Sequence, residues 1–139
     1  MSLLLFRNYF WAFSLLVLSL LPISGKSSVD RTADQILGRW LFPGRGSTVE
    51  LYRIGDRYFG RISDVSPTGK EQFGLTKNQL LISNLAFDGK GWSGELIHPK
   101  TGNHLNIDVE MVDSRTINAT VYKGWRWLNK EFVMTRETL

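Results

Sequence analysis

The chain contains few side chains suited to catalysis, and its two histidines are His98 and His104. A four-residue loop at 99–102, which begins with proline and ends with glycine, is predicted to pair His98 with Asn103 across a hairpin. His98 then points to the inner face of the sheet and His104 to the outer face. Two imidazoles on opposite faces of a rigid sheet cannot ligate one metal ion, so we predict no metal site.

A second candidate for chemistry is the pair of carboxylates at Asp108 and Glu110, which share one face of a strand. Paired carboxylates can perform general acid–base catalysis. This strand, however, alternates apolar and polar residues regularly from 105 to 111, which places both carboxylates on the solvated outer face. With no cysteine nucleophile either, we predict that the protein is not an enzyme and needs no cofactor.

Arg53 and Tyr58 form a third constellation, on either side of a two-residue hairpin signal at Gly55 and Asp56. The hairpin places them opposite each other and facing inward. An internal arginine beside a tyrosine can bind a ligand carboxylate by charge-assisted hydrogen bonds. Because the pair is predicted near Trp40 at a closed end, it can instead form a polar plug whose buried charge has protein partners. We favour the plug.

Basic residues and tryptophans are predicted to gather at the opposite end of the sheet, where Trp125 and Trp127 flank Arg126. The basic set comprises Arg45, Lys70, Lys77, Lys100, Lys123, Arg126 and Lys130. Such a surface suits a membrane interface or the anionic head of an amphiphile at a cavity mouth. The alternative is that one tryptophan turns inward to cap the core while the other rests on a strand.

These side chains must be positioned by strands, because short apolar runs alternate with turn signals about every ten residues. Facing pairs predicted from the two hairpins include Glu50 with Arg61 and Trp92 with Val109. A capping-box pattern at 32–35 predicts one helical turn before the first strand, and residues 66–77 are predicted as a loop. We therefore predict an all-β fold: a small eight-stranded antiparallel up-and-down barrel with a short N-terminal helical turn.

The interior of such a barrel is just wide enough for side chains or one small ligand. The side chains that could fill it are Leu51, Trp92, Phe132 and Met134.

The chain of 139 residues has a net charge of +4 at pH 7 and no cysteine. Residues 1–25 show a secretory pattern, with Arg7, an apolar run and small residues at Ser24 and Gly25. We predict a signal peptide at 1–25, with an uncleaved anchor as the alternative, and a single domain at 26–139. The protein is then exported to a periplasmic or extracellular location. Export and a mild charge argue against nucleic-acid binding.

Gly38, Arg39 and Trp40 after a short helix, with Arg136 on the last strand, resemble the lipocalin or calycin signature. In that group the tryptophan plugs the closed end and the basic side chain lies across it. The chain more closely resembles the secreted bacterial family called domain of unknown function 2147, through residues 36–40, 58–62, 92–97 and 99–102 and the closing Arg136. That resemblance implies an exported lipocalin-like barrel and carries no established activity.

The leading hypothesis is that the exported barrel binds a small hydrophobic or amphiphilic ligand, such as a lipid or fatty acid. The alternative is a solid barrel that docks on the cell envelope, at a membrane surface or another envelope component, through residues 125–127. The candidate ligand-binding residues are Arg53, Tyr58, Trp92, His98, Asn103, Trp125, Arg126 and Trp127. The candidate structural residues are Gly38, Trp40 and Arg136.

Overall fold

Eight antiparallel strands follow one another around a closed barrel in chain order, so the predicted fold class is confirmed. The strands are β1 (Gly38–Leu41), β2 (Thr48–Ile54), β3 (Arg57–Asp64), β4 (Leu80–Phe87), β5 (Trp92–Ile97), β6 (His104–Asp113), β7 (Thr116–Tyr122) and β8 (Asn129–Arg136). Each strand pairs with its neighbour in sequence, and β8 returns to pair with β1.

The computed structural model describes residues 28–42, 46–125 and 129–138. The predicted signal peptide at 1–25 lies outside the described residues, as do Arg45, Arg126 and Trp127. Within the described ranges, no helix has both the length and the apolar character needed to cross a bilayer.

The register predicted from the first hairpin is confirmed, with Arg53 opposite Tyr58 and Glu50 opposite Arg61. Gly55 adopts φ +63° in the turn, a conformation that glycine reaches without a steric penalty. The predicted outer ion pair is also present, since the Arg61 Nη2 donates to Glu50 Oε1 over 2.6 Å. That hydrogen bond lowers the pKa of Glu50, and Arg39 lowers it further.

From the sequence alone, a three-residue loop at 113–115 is predicted between β6 and β7, because a loop with an odd number of residues keeps their inner faces aligned. The observed hairpin differs from this loop. Asp113 belongs to β6 and pairs with Thr116, so the turn itself has only two residues, and the register shifts between Met111 and Asp113. The extra residue is Val112, which is 66% exposed. This bulge keeps Met111 opposite Ile117, so the two inner faces remain aligned as predicted.

The sequence does not show which face of β4 is buried, because residues 80–82 are all apolar, and the structure reveals a second irregularity in this strand. Asn84 adopts φ +62°, and the pairing with β5 shifts between Ser83 and Ala86. Ile82 and Leu85 are consequently both buried although they are an odd number of positions, three, apart along the strand. A β-bulge of this kind interrupts the period of two on which a face assignment depends.

The N-terminal helical segment is longer than predicted and starts earlier. Helix α1 spans Ser28–Ala33 and continues into a 3₁₀ turn at Asp34–Ile36. The predicted capping box at 32–35 is wrong, because Thr32 lies inside α1 and the residue before the 3₁₀ turn, Ala33, makes no side-chain cap. The segment covers one end of the barrel, where the Trp92 Nε1 donates to the Ala33 carbonyl over 3.2 Å.

A second helix, α2 (Pro67–Phe73), occupies the segment that was predicted as a loop. The Ser66 side chain caps it by accepting from the Gly69 amide over 3.0 Å, and Gly74 ends it in the left-handed region. Serine followed by proline, with a later glycine, is a helix signal. Seven residues are nevertheless too few to show a helical period.

The covered end is closed by Trp40, which is fully buried and donates from Nε1 to the Ile36 carbonyl over 2.9 Å. The Arg136 guanidinium carbon lies 4.3 Å from the centre of the Trp40 ring, which confirms the predicted cation–π contact. Arg136 also donates to the carbonyls of Gln35, Leu37 and Ser114.

Gly38 gives Arg136 the room that these contacts require. It adopts φ +127°, and a Cβ there would lie 2.9 Å from an Arg136 Nη atom. Partial burial lowers the pKa of Arg136, and the neighbouring Arg115 charge lowers it further. An arginine nevertheless stays protonated in proteins, so the guanidinium keeps its charge in this site.

We predict that Arg136→Lys destabilises the barrel although it conserves charge. A lysine cannot reproduce the planar fork that bonds three carbonyls and stacks on an indole. The free energy of unfolding measured in urea should fall by about 2–4 kcal/mol. Arg57→Lys, at an exposed hairpin position, is the matched control and should change it by less than ~0.5 kcal/mol. Equal stabilities for both variants would contradict the role assigned to Arg136.

Candidate ligand-binding site

The barrel contains a cavity of about 690 Å³ that opens at the end opposite Trp40. This volume lies within the range of ~300–1,000 Å³ typical of small-molecule sites. The deeper walls are apolar and come from the inner faces of four strands, through Ile82, Ile107, Ala119 and Met134. Helix α2 and the short segment after it add Phe73 and Leu75 at one side.

The four side chains that were predicted to fill the barrel interior fall into two groups, those that line the cavity and those that pack in the core below it. Phe132 and Met134 line the cavity as part of its wall. Leu51 and Trp92, each 2% exposed, pack in the core instead and are not among the lining residues. The barrel therefore has an interior space that its own described side chains leave open.

The mouth of the cavity is formed by helix α2, the β5–β6 turn and the start of β8. Its polar lining residues are Gln72, His98, Lys100, Tyr122, Lys123, Asn129 and Lys130. The β5–β6 turn is held by two backbone hydrogen bonds, from the amide of His98 to Asn103 and from the amide of Gly102 to His98, each 2.8 Å. This turn fixes Lys100 at the rim.

The charge at the mouth has one sign. Lys100, Lys123 and Lys130 line the cavity, and no aspartate or glutamate does. Within the described ranges, no carboxylate forms an ion pair with any of these three lysines. The Lys130 Nζ lies 5.6 Å from the centre of the Phe132 ring. One of the positive charges at the mouth therefore contacts an aromatic residue of the apolar wall. The predicted Lys70 and Lys77 are exposed and do not line the cavity.

Arg53 and Tyr58 lie at the closed end, where both side chains donate hydrogen bonds to Asp34 of the N-terminal segment. Asp34 Oδ1 accepts from Arg53 Nη1 over 2.9 Å and from the Tyr58 hydroxyl over 2.6 Å. Neither residue lines the cavity. The structure thus supports the polar plug over the carboxylate clamp. Asp34 was not identified from the sequence, because no local pattern shows where a 3₁₀ turn will sit against a barrel.

The other predicted ligand-binding residues are distributed around the molecule. His98 alone among those described lines the cavity. The Trp92 ring packs at a tilt against Phe87 in the core, with ring centres 4.7 Å apart, and Asn103 is exposed in the turn. Neither Trp92 nor Asn103 lines the cavity: Trp92 supports α1 through its hydrogen bond to Ala33, and Asn103 faces solvent.

Trp125 is 69% exposed, so it does not cap the cavity. Gln72 and Phe73 do contribute to the site, although the sequence analysis did not select them. The signal that could have found them is the serine–proline helix start at residue 66, which would have placed α2 beside the mouth.

The two histidines occupy opposite faces, as predicted. His104 Nδ1 lies 2.7 Å from Glu95 Oε2 on the outer face, while His98 lies on the cavity side. Asp108 accepts from the Ser93 hydroxyl over 2.9 Å, also on the outer face. Among the residues that the structure describes, no group of three or more potential ligands is placed to hold a metal ion.

No protein-family model matches the chain, so membership in the family called domain of unknown function 2147 is not confirmed. No curated protein matches either. Among solved structures, the chain is similar to a protein from the human pathogen Helicobacter pylori that is described as belonging to the lipocalin family. The two share 16% sequence identity with a TM-score of 0.59, over 74% of this chain and 83% of that chain. The likeness shows a shared lipocalin-type barrel.

We predict that Arg53→Met weakens the closed end without affecting the cavity. Asp34 would lose a charged hydrogen-bond donor in a partly buried setting, so the free energy of unfolding should fall by about 1–3 kcal/mol. Titration with a fluorescent amphiphile should give a dissociation constant within twofold of wild type. A tenfold loss of affinity in a folded Arg53→Met protein would instead restore the clamp interpretation.

Proposed function

We propose that the protein is an exported, non-catalytic binding protein that holds a small hydrophobic or amphiphilic ligand, such as a lipid or fatty acid, inside its barrel. The observation that carries this proposal is the cavity of about 690 Å³, which is apolar at depth and bordered at its mouth by lysines with no lining carboxylate. Eight-stranded barrels of the lipocalin type have room for one such ligand.

The depth of the cavity favours an alkyl chain. Ile82, Ile107 and Met134 present only hydrocarbon and a thioether to the interior. Each methylene group that leaves water for such surroundings contributes ~0.8 kcal/mol. A chain of several methylenes therefore supplies most of the affinity, and the polar group supplies orientation.

The distribution of charge favours a head group at the mouth. At the closed end, the polar side chains of Arg53 and Tyr58 are engaged by Asp34. At the mouth, Lys100, Lys123 and Lys130 are exposed to solvent along their outer parts. An anionic head placed there keeps much of its hydration and gains charge-assisted contacts, whereas burying it among the apolar walls would cost free energy.

The compartment is part of the same proposal. Residues 1–25 carry the pattern of a secretory signal peptide, and the chain has no cysteine that could be lipidated after it. A periplasmic or extracellular bacterial protein of this size, acting without a cofactor and without nucleic acid, fits a carrier or scavenger of amphiphiles.

One observation favours a second function, docking on the cell envelope. Trp125 exposes 69% of its surface beside the exposed Lys123. Tryptophan with lysine is a combination suited to membrane interfaces. Trp125→Ala separates the two functions, because loss of envelope binding with unchanged cavity binding would favour docking.

We expect a discrete adduct in native mass spectra of residues 26–139 purified gently from the envelope fraction of the source cell. Extraction should identify the adduct as a lipid or another amphiphile. A ligand-free mass that persists after incubation with total lipid extract would contradict the carrier function and leave docking through Trp125 as the function to test.

The combined variant Lys100→Met, Lys123→Met and Lys130→Met should weaken binding of dodecanoate by about tenfold at low salt, since each exposed charge contact is worth up to ~1 kcal/mol. Binding of dodecanol, which has the same chain and no charge, should change by less than twofold. Titration calorimetry measures both affinities.

The matched control for this variant removes three positive charges at the closed end, by Arg57→Met, Lys90→Met and Arg115→Met. It has the same net charge as the mouth variant and should bind dodecanoate nearly as wild type does. Equal losses in both variants would show that net charge, and not the mouth, governs binding.

A further inference from the structure

The lysines at the mouth come from two sides of the cavity. Lys100 lies in the β5–β6 turn, whereas Lys123 follows β7 and Lys130 belongs to β8. The stem of Lys100 is braced against the end of α2, because a Cβ at Gly74 would lie 2.9 Å from Lys100 Cγ. All three line one cavity, so a head group between them is flanked by cations on both sides.

The number of charges matters for the kind of head group. A carboxylate carries one negative charge and would leave two of the three lysine charges at the mouth uncompensated. A phosphomonoester carries about −1.5 to −2 at neutral pH and three strong acceptor oxygens. The phosphomonoester therefore compensates more of the positive potential and can accept from more than one wall at a time.

The hydrogen bonds of His98 give independent support for an anionic head group, because they show which ring nitrogen carries the proton. Its Nδ1 accepts hydrogen bonds from the backbone amides of Lys100, over 3.2 Å, and Thr101, over 3.4 Å. In a neutral imidazole with an accepting Nδ1, the proton resides on Nε2. That edge of the ring faces away from the turn, on a residue that lines the cavity, and no described residue accepts from it. His98 thus offers an N–H donor at the mouth.

We propose that the ligand is a single-chain amphiphile with a phosphomonoester head group, held by Lys100, Lys123 and Lys130 and oriented by the Nε2–H of His98. This inference rests on the proposed function, since it assigns the head group of the same ligand. The alkyl chain extends toward Ile107 and Met134, and the phosphate remains at the rim.

The test compares ligands that share one dodecyl chain, each below its micelle concentration, at pH 8 and low salt. Dodecyl phosphate, which is dianionic there, should bind at least fivefold more tightly than dodecanoate. Dodecyl sulfate has three terminal oxygens and a single charge, so it should fall between them and separate oxygen count from charge. Inorganic phosphate should not displace bound dodecyl phosphate, because it lacks the chain.

Two variants test the role of His98. In His98→Asn, the side-chain oxygen can accept from the same turn amides, while no donor reaches the cavity. This variant should keep the wild-type melting temperature and lose about threefold in affinity for dodecyl phosphate. His98→Gln restores a donor near the Nε2 position and should recover part of that affinity. Long-range nitrogen NMR of the wild-type protein should show His98 as the Nε2–H tautomer.

Each opposing outcome has a distinct meaning. Dodecanoate binding as tightly as dodecyl phosphate would overturn the phosphate assignment and leave the proposed function intact. Absence of binding by every dodecyl ligand would overturn both. Displacement by inorganic phosphate alone would show a plain anion site and overturn the amphiphile. Wild-type affinity in His98→Asn would make His98 a turn residue only.

Discussion

The stack of the Arg136 guanidinium on Trp40 is the contact on which the rest of this barrel depends. The seam between the last and first strands is short, with only Trp40 paired to Arg136 and Leu41 paired to Thr135. The side chain of Arg136 adds three hydrogen bonds to carbonyls and the ring contact at 4.3 Å. One arginine therefore both fastens the seam and seals the end of the core.

Closing that end so thoroughly divides the molecule into two chemically different halves. At the closed half, charged and polar side chains are matched within the protein, as Arg53 and Tyr58 are by Asp34. At the open half, the lysines that line the cavity have no lining carboxylate beside them. This division is the basis of the orientation proposed for an amphiphile, with its hydrocarbon toward the sealed end and its charge toward water.

The parts of this structure that could be predicted from the sequence are those fixed by local rules. The hairpins at Gly55 and at residues 99–102 set the register of four strands, and the alternation of β6 and β7 set their inner faces.

The parts that could not be predicted depend on contacts between residues distant in sequence or on an interrupted strand period. Asn84 introduces a bulge that hides the face of β4, and Asp34 acquires its role only when the 3₁₀ turn packs against the barrel. The cavity depends on volumes that no pattern of alternation reports, and α2 is too short for its period to be seen.

The seam also determines when the fold can be completed. Arg136 bonds to the carbonyl of Gln35, 101 residues earlier in the chain. A growing chain can form the β2–β3 hairpin early, but it lacks the residue that closes the barrel until Arg136 has been synthesised. Bringing together residues this far apart costs more loop-closure entropy than forming the hairpins between neighbouring strands, so the seam is expected to form last. The barrel therefore cannot close before the whole stretch from Gln35 to Arg136 has left the ribosome, so until then the first strand has no partner on its outer edge.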